Sequence, residues 1–459
     1  MARAISWARQ RPWLVAPLTL WLALQILIAA RTLPDRILVG PDGLDFVRIS
    51  GESLFSADLW ATSRAPVFPL LVKFVGLDRA AGAHALVAAV CWLFLAFVLA
   101  SKLRWIGRAI VFVGVLLLAS TVQVTVWNGL ALSESLTFSL MALSMAVTLL
   151  VVERWTWPRL AAAAVAGSLF ILVRDTDSLL ALALSGAIVL GVVLRRVPLR
   201  ALALVAVLVL VSFASMASSS NGDRWLQPLH HVVRDRVLHS PSATEWFVDR
   251  GLPDAALVRG PQGDDYVRYG VFWKDRRFQP YLTWLREHGR TALITYLARH
   301  PSFLVDGDLA DPTDWAGPRP SVRSYQRWTG ARAPLGTTLN AIVWPESPGI
   351  VYPLELTGLV AAVAVAVLDE RRRTIALVGV VTIVAGWVLV VMAANLDTAE
   401  TPRHIIALSG MMRLGAVCGL AAAIEGGLDA LRRRKRGQPS DNAEDHRFSG
   451  ASQQQVTAP

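Results

Sequence analysis

The chain has 459 residues, a formal net charge of +11, 54% hydrophobic residues and a mean hydropathy of +0.47. So apolar a composition excludes a single soluble domain and fits a polypeptide that crosses a membrane many times. The basic excess is accounted for by positively charged cytoplasmic segments, which removes nucleic acid as a partner, and two cysteines inside apolar runs, Cys91 and Cys418, argue against a structural disulfide.

Ten apolar segments follow in order, at about 13–30, 80–100, 109–126, 134–152, 160–173, 178–194, 199–217, 350–368, 374–393 and 404–424. The first is a retained span, because the uncharged run from Pro12 to Ala30 exceeds a signal-peptide core of roughly 7–15 residues. With the N-terminus in the cytoplasm, the short inside gaps hold Lys102, Arg104 and Arg108, then Arg154 and Arg159, then Arg195, Arg196 and Arg200, then Arg371 to Arg373. Reversing the orientation breaks the positive-inside rule in every gap. The expected organisation is an N-terminal transmembrane module (1–217), an extracytoplasmic domain (218–349), a C-terminal transmembrane module (350–425) and a basic, disordered cytoplasmic tail (426–459). The fold class is an all-α membrane bundle of about ten transmembrane helices with a mixed, mainly helical exterior domain. In that domain, 278–301 has apolar residues at helical spacing and stops at Pro301, and the 306–320 stretch reads as loop.

The first outer loop, 31–69, carries Asp35, Asp42, Asp45, Glu52 and Asp58 and ends in Arg64-x-Pro66-x-x-Pro69. If a helix forms over 44–60, Asp42 lies just before it and Asp45 in its first turn, where an acid also serves as a helix-start residue. Charges elsewhere sit too deep for an ordinary span, which marks a functional site by default. The fifth segment runs into Arg174-Asp175-Thr176-Asp177, whose two acids could hold a divalent cation but supply too few oxygens alone, or form an Arg–Asp hairpin cap. Arg413 lies about nine residues into the last span, roughly 14 Å deep, and should face the bundle and meet an anion. Glu355, early in the eighth span, is expected to be solvated at the membrane edge. Arg403 and His404 stand at the outer mouth of the last span, placed to receive a phosphate or to anchor at headgroups. Glu134 heads the fourth span, to bind a sugar or cap the helix. His230 and His231 are adjacent but lack a third metal ligand.

PDGLDF, SRAPVFPLL, LSESLTFSLMAL, VRDTDSLLAL and ETPRHIIAL occur in the order found in polytopic GT-C glycosyltransferases, which this chain resembles over its membrane core. Phe68 stands where the family's proline segment carries Tyr, and Asp42 and Asp45 replace an acid–acid pair. The exterior segment has the style of the high-GC actinobacterial branch. The resemblance implies an inverting hexosyl- or pentosyltransferase of the cell membrane, with both termini cytoplasmic and the active site extracytoplasmic. Its donor would be a polyprenyl-phosphate-linked sugar, and its acceptor a glycan, lipid or protein. Asp42, or else Asp45, would be the general base. Arg64, Glu134, Arg174, Asp175, Asp177, Arg403, His404 and Arg413 would bind substrate. The rival readings are a transporter or flippase of lipid-linked sugars, or a non-catalytic assembly partner.

Overall fold

The computed structural model describes residues 12–34, 36–259, 271–304, 325–396, 403 and 405–435. The expectations for Asp35, His404, the 306–320 loop and the chain beyond Lys435 fall outside them. The long apolar runs become helices: α1 (Pro12–Thr32), the loop helices α2 (Pro41–Ser50) and α3 (Val67–Val75), then α4 (Leu77–Ala100), α5 (Trp105–Ala119), α6 (Glu134–Glu153), α7 (Trp157–Ile171), α8 (Asp177–Val193) and α9 (Ala201–Asn221). The segment that follows holds α10 (Leu226–Asp235) and α11 (Gly336–Val343), and after it come α12 (Pro348–Leu368), α13 (Arg373–Leu396) and α14 (Ile406–Lys435). Among the described residues six of these, α4, α6, α9, α12, α13 and α14, are long and apolar enough to cross a membrane. The protein is a multi-pass helical membrane bundle.

The third apolar run is broken. After α5 the chain bends by 51° into a second helical piece, 122–129. Ser120 donates its hydroxyl to the Leu116 carbonyl (2.8 Å) and Thr121 to that of Leu118 (2.7 Å), so side chains satisfy the carbonyls where the helix stops. The piece beyond the bend is wholly buried.

α14 is the central element. Of its apolar window 78% is buried, against 28% for α9 and α12. It packs on α5, α12 and α13 through small residues: Gly415 meets Gly379, and Gly419 meets Gly358, at backbone contact. It also runs on to Lys435, so residues 426–435 are helical rather than part of a disordered tail. Leu, Ala, Arg and Lys favour the helix there, and the terminal basic run complements its dipole.

The segment between α9 and α12 splits in its packing. Side chains from Leu226 to Phe303 form their own apolar cluster around Phe247, Tyr281, Trp284 and Tyr296. Tyr325, Ala331 and Trp344 instead join the core of the bundle. The helix expected over 278–301 forms as 279–284 and 290–299, joined by a wider π-turn at 285–289, and ends before Pro301.

The bundle end opposite the 31–69 loop is closed by a buried ion cluster. Arg372 pairs with Asp369, Asp429 and Glu425, the last at 3.0 Å. The other Glu425 oxygen accepts from the backbone N–H of Arg104 (2.8 Å) and Gly107 (3.2 Å), which caps α5. Glu425→Ala strips the cap and one of the three carboxylates at once. It should cost about 3 kcal/mol, read as a lowered thermal unfolding midpoint in detergent. Glu425→Gln, which keeps an accepting oxygen, should lose less. Equal stability of all three proteins would refute the capping role.

Candidate functional site

The site is built on the start of α2. Gly40 precedes the helix and Pro41 takes its first position, where a missing N–H costs nothing and φ is already helical. The helix therefore begins at residue 41 and ends at Ser50, earlier and shorter than 44–60, and Asp42 lies in its first turn. The preceding strand-like residue Leu38 pairs with the buried piece after α5: its N–H donates to Gly129 O (2.9 Å) and its carbonyl accepts from Ala131 N (2.9 Å). Three residues beyond Ala131 stands Glu134, the first residue of α6. This short backbone pairing carries the loop acid to the head of the fourth long helix.

α3 closes the other side. Phe46 of α2 meets Phe68 of α3 edge to face at 5.2 Å, both buried. Arg64, just before α3, lays its guanidinium 5.5 Å from the Phe46 centroid. It reaches Asp42 at 2.8 Å and Asp45 at 3.4 Å. Arg403, just before α14, reaches the other Asp42 oxygen at 3.1 Å, Glu134 at 3.0 Å and the Tyr325 hydroxyl at 3.2 Å. Glu134 also pairs with Arg174 at 2.9 Å. The result is one chain of alternating charge: Asp45, Arg64, Asp42, Arg403, Glu134, Arg174. Side-chain exposure is greatest at the two loop acids, 42% at Asp45 and 32% at Asp42, and least in the middle of the row, 10% at Arg403 and 3% at Glu134, with Arg174 at 17%. Asp42 and Asp45 are the part open to solvent; Glu134, between Arg403 and Arg174, is the most buried member. Glu134 is thus an ion-pair partner of two arginines rather than a simple helix cap.

Burial pushes the Asp42 carboxyl up, but the charges of Arg64 and Arg403 and their hydrogen bonds outweigh it and hold it below the ordinary value of 3.8.

A second set of contacts fixes the rest of the loop. Asp175 Oδ1 accepts from Arg224 (2.8 Å) and from the Ser215 hydroxyl (2.9 Å). Arg224, 6% exposed, also donates to the carbonyls of Thr62 (2.5 Å) and Trp60 (2.8 Å) and to the Ser218 hydroxyl (2.7 Å). Gly222 lets the loop come this close, since a Cβ there would collide with the Thr62 carbonyl. Thr62 Oγ1 in turn accepts the N–H of Arg64 at 3.3 Å. Asp175 therefore anchors the loop through an arginine. Asp177 lies within electrostatic reach of Arg174 and Asp175. Among the described residues no group of three or more acids, histidines or cysteines is placed to hold a metal ion.

Arg413 has a different set of partners. It is 2% exposed, donates to the carbonyls of Pro345 (2.6 Å) and Ser409 (3.1 Å), and stands 4.5 Å from the Trp344 ring centroid. The anions it attracts are Glu355 and Glu346. Glu355, expected at the solvated edge, is 2% exposed and lies inside the bundle within reach of Arg413 and Trp387. Glu346 further accepts from Gln123 (3.0 Å), and Asn340 bonds both Gln123 and the N–H of Val122. Arg413 thus ties α14 to the segment before α12 and, through it, to the piece after α5. His230 is buried with Nδ1 3.0 Å from the Tyr281 hydroxyl, and burial with the neighbouring charges of His231 and Arg234 pushes its pKa well below the ordinary value.

Sequence reasoning missed Arg224, Tyr325 and Trp328. Arg224 follows a serine-rich helix end with no motif around it, and both aromatics come from a segment assigned wholesale to the exterior domain. The seven tryptophans between Ser218 and Gly349 are the one signal in the sequence that points there.

No protein-family model matches the sequence, and no curated protein matches it. Among solved structures the chain is similar to the archaeal oligosaccharyltransferase AglB from Archaeoglobus fulgidus, solved with an inhibitory peptide and a dolichol-phosphate. The TM-score is 0.44 and the identity 14%, over 95% of this chain and 53% of that one. An Archaeoglobus fulgidus oligosaccharyltransferase tethered with an acceptor peptide gives a TM-score of 0.41 and 14% identity, over 90% and 50%. ArnT from Cupriavidus metallidurans, bound to undecaprenyl phosphate, gives 0.32 and 16%, over 91% and 77%. The chain spans about half the length of the two oligosaccharyltransferase structures.

Two predictions follow from these contacts. A carboxyl with a depressed folded pKa stabilises the fold above its unfolded pKa and loses that contribution as pH falls through the folded value. The stability gap between the unaltered protein and Asp42→Asn, at most about 1 kcal/mol for so exposed a group, should hold from pH 7 to about 4.5 and shrink below 3.8. A gap that shrinks already between pH 7 and 5 contradicts the ion-pair assignment. Arg224→Lys keeps a charge beside Asp175 but loses the fork onto Trp60 and Thr62. Amide exchange in residues 60–64 should speed up by on the order of tenfold, from roughly 1.5 kcal/mol of lost hydrogen bonding. Unchanged exchange there would show that the loop is held otherwise.

Proposed function

We propose that the protein is an integral membrane glycosyltransferase that moves a sugar from a polyprenyl-phosphate donor to an acceptor outside the cytoplasm, inverting the anomeric centre. The observation that carries this reading is Asp42, a solvent-accessible carboxylate held between Arg64 and Arg403. Displacement at an anomeric carbon needs a base for the acceptor hydroxyl and cations for the departing phosphate. Here they stand side by side at one end of a membrane bundle.

In the proposed step Asp42 takes the acceptor O–H proton as that oxygen bonds to the anomeric carbon. The bond from that carbon to the phosphate oxygen breaks, and its electron pair stays on the lipid phosphate. Arg403 and Arg64 receive that charge, since a guanidinium fork matches phosphate oxygens. Glu134 and Arg174 hold Arg403 from behind. His404 would add a cation, and Asp175 and Asp177 keep the loop and Arg174 in place. Arg413 positions the segment before α12. The basic gaps support cytoplasmic termini and an extracytoplasmic site formed by the first loop and the 218–349 segment. The acceptor is a glycan, lipid or protein, and the sugar a hexose or pentose.

Protein reconstituted in lipid and supplied with a polyprenyl-phosphate sugar should release polyprenyl phosphate. Asp42→Asn should slow that release by about 10²–10⁴-fold, and Asp45→Asn, at the exposed end of the chain of charges, far less. Full transfer by both variants would reject the base assignment. Movement of the lipid-linked sugar across vesicles with no release of polyprenyl phosphate would replace transfer by transport.

A further inference from the structure

Beside Asp42 and Arg403 lies an aromatic surface that the chain of charges does not use. Residues 325–329 form one helical turn, so Tyr325 and Trp328 share a face. The Tyr325 hydroxyl bonds Arg403 at 3.2 Å. Its ring rests on the fully buried Trp127 at 4.9 Å between centroids and faces Trp328 at 6.2 Å. The Trp328 ring in turn lies on Gly40, two residues before Asp42: a Cβ at that glycine would stand 2.7 Å from Cη2. Any side chain at residue 40 would lift the indole away. Trp328 nonetheless remains 46% exposed. A large aromatic side chain is thus seated on the backbone that launches the catalytic helix, with part of its surface open to solvent.

We infer that Trp328, backed by Tyr325, is the subsite for the donor sugar ring. This rests on the glycosyltransferase reading above and adds the surface that holds the sugar. A saccharide presents weakly positive C–H groups on one face, and these lie favourably on the negative face of an indole. The position fits the donor. A phosphate on Arg403 puts the anomeric carbon one bond beyond its oxygen, next to Tyr325, and the ring then extends towards Trp328. Hydroxyl stereochemistry decides which face of the ring carries an unbroken C–H patch, so this surface would grip sugars that have such a face and leave the finer choice to polar groups.

The test uses the full chain in lipid nanodiscs and measures binding of two probes: polyprenyl phosphate bearing a hexose or a pentose, and bare polyprenyl phosphate. Trp328→Ala should weaken binding of the sugar-bearing lipid by roughly three- to tenfold and leave the bare lipid unaffected, while Trp328→Phe should restore most of the loss. Equal weakening for both lipids would overturn the inference, because Trp328 would then only be supporting Arg403. An unchanged affinity for the sugar-bearing lipid would also overturn it. So would a change confined to the acceptor KM, which assigns the ring to the acceptor. If the unaltered protein binds and transfers no lipid-linked sugar, the parent reading falls, and this one with it. If it transfers normally and Trp328→Ala behaves like the unaltered protein, only the subsite falls.

Discussion

Arg403 is the tie between the two ends of the chain. It stands just before α14 and pairs with Asp42 from the first loop and Glu134 from the head of α6. Closing contacts over 361 residues is entropically costly, and a buried guanidinium without partners costs several kcal/mol more. The structure meets both demands by alternation. Each buried charge in the row has an opposite charge on either side, and the row ends where water is available. Apolar packing, Phe46 on Phe68 and Trp127 against Tyr325, adjoins the row.

The two ends of the bundle use ions differently. At Arg372 three carboxylates surround one cation, and Glu425 also caps a helix, so the guanidinium is fully engaged and fixed. At the loop end, three carboxylates face three guanidinium groups, and Asp42 and Asp45 keep part of their surface in water. The first arrangement serves as a staple. The second can exchange partners, since an incoming anion can replace a carboxylate without stranding a charge.

Much of this was readable before any coordinates. The apolar runs gave the long helices because hydropathy and length decide membrane helices almost alone. Arg64, Asp42 and Arg403 were legible as a group because each lies at the same boundary of an alternating topology, and the bundle can bring only such residues together. What stayed hidden depends on pairs rather than positions. Nothing local marks Arg224 as a partner of Asp175, and the pairing of Leu38 with residues 129–131 follows from a bend set by two hydroxyls. The depth of Arg413 was correctly read as a demand for an anion. The anions are Glu355, the one acid expected at a solvated edge, and Glu346 from the segment before its helix.

Charge balance also constrains the order of events in the proposed reaction. Before the donor binds, Arg64 and Arg403 both hold Asp42, and a carboxylate so held is a weak base. A lipid phosphate brings at least one negative charge to these same arginines. As they turn to it, their attraction for Asp42 is divided, and the carboxylate gains affinity for a proton at the moment an acceptor hydroxyl must give one up. Glu134 is too buried to follow, so it holds Arg403 in place while the exchange occurs. Proton acceptance is thereby coupled to donor binding by electrostatics alone. In that proposed reaction the acceptor enters at Asp42 and Asp45, where the row meets water, rather than at the buried Glu134.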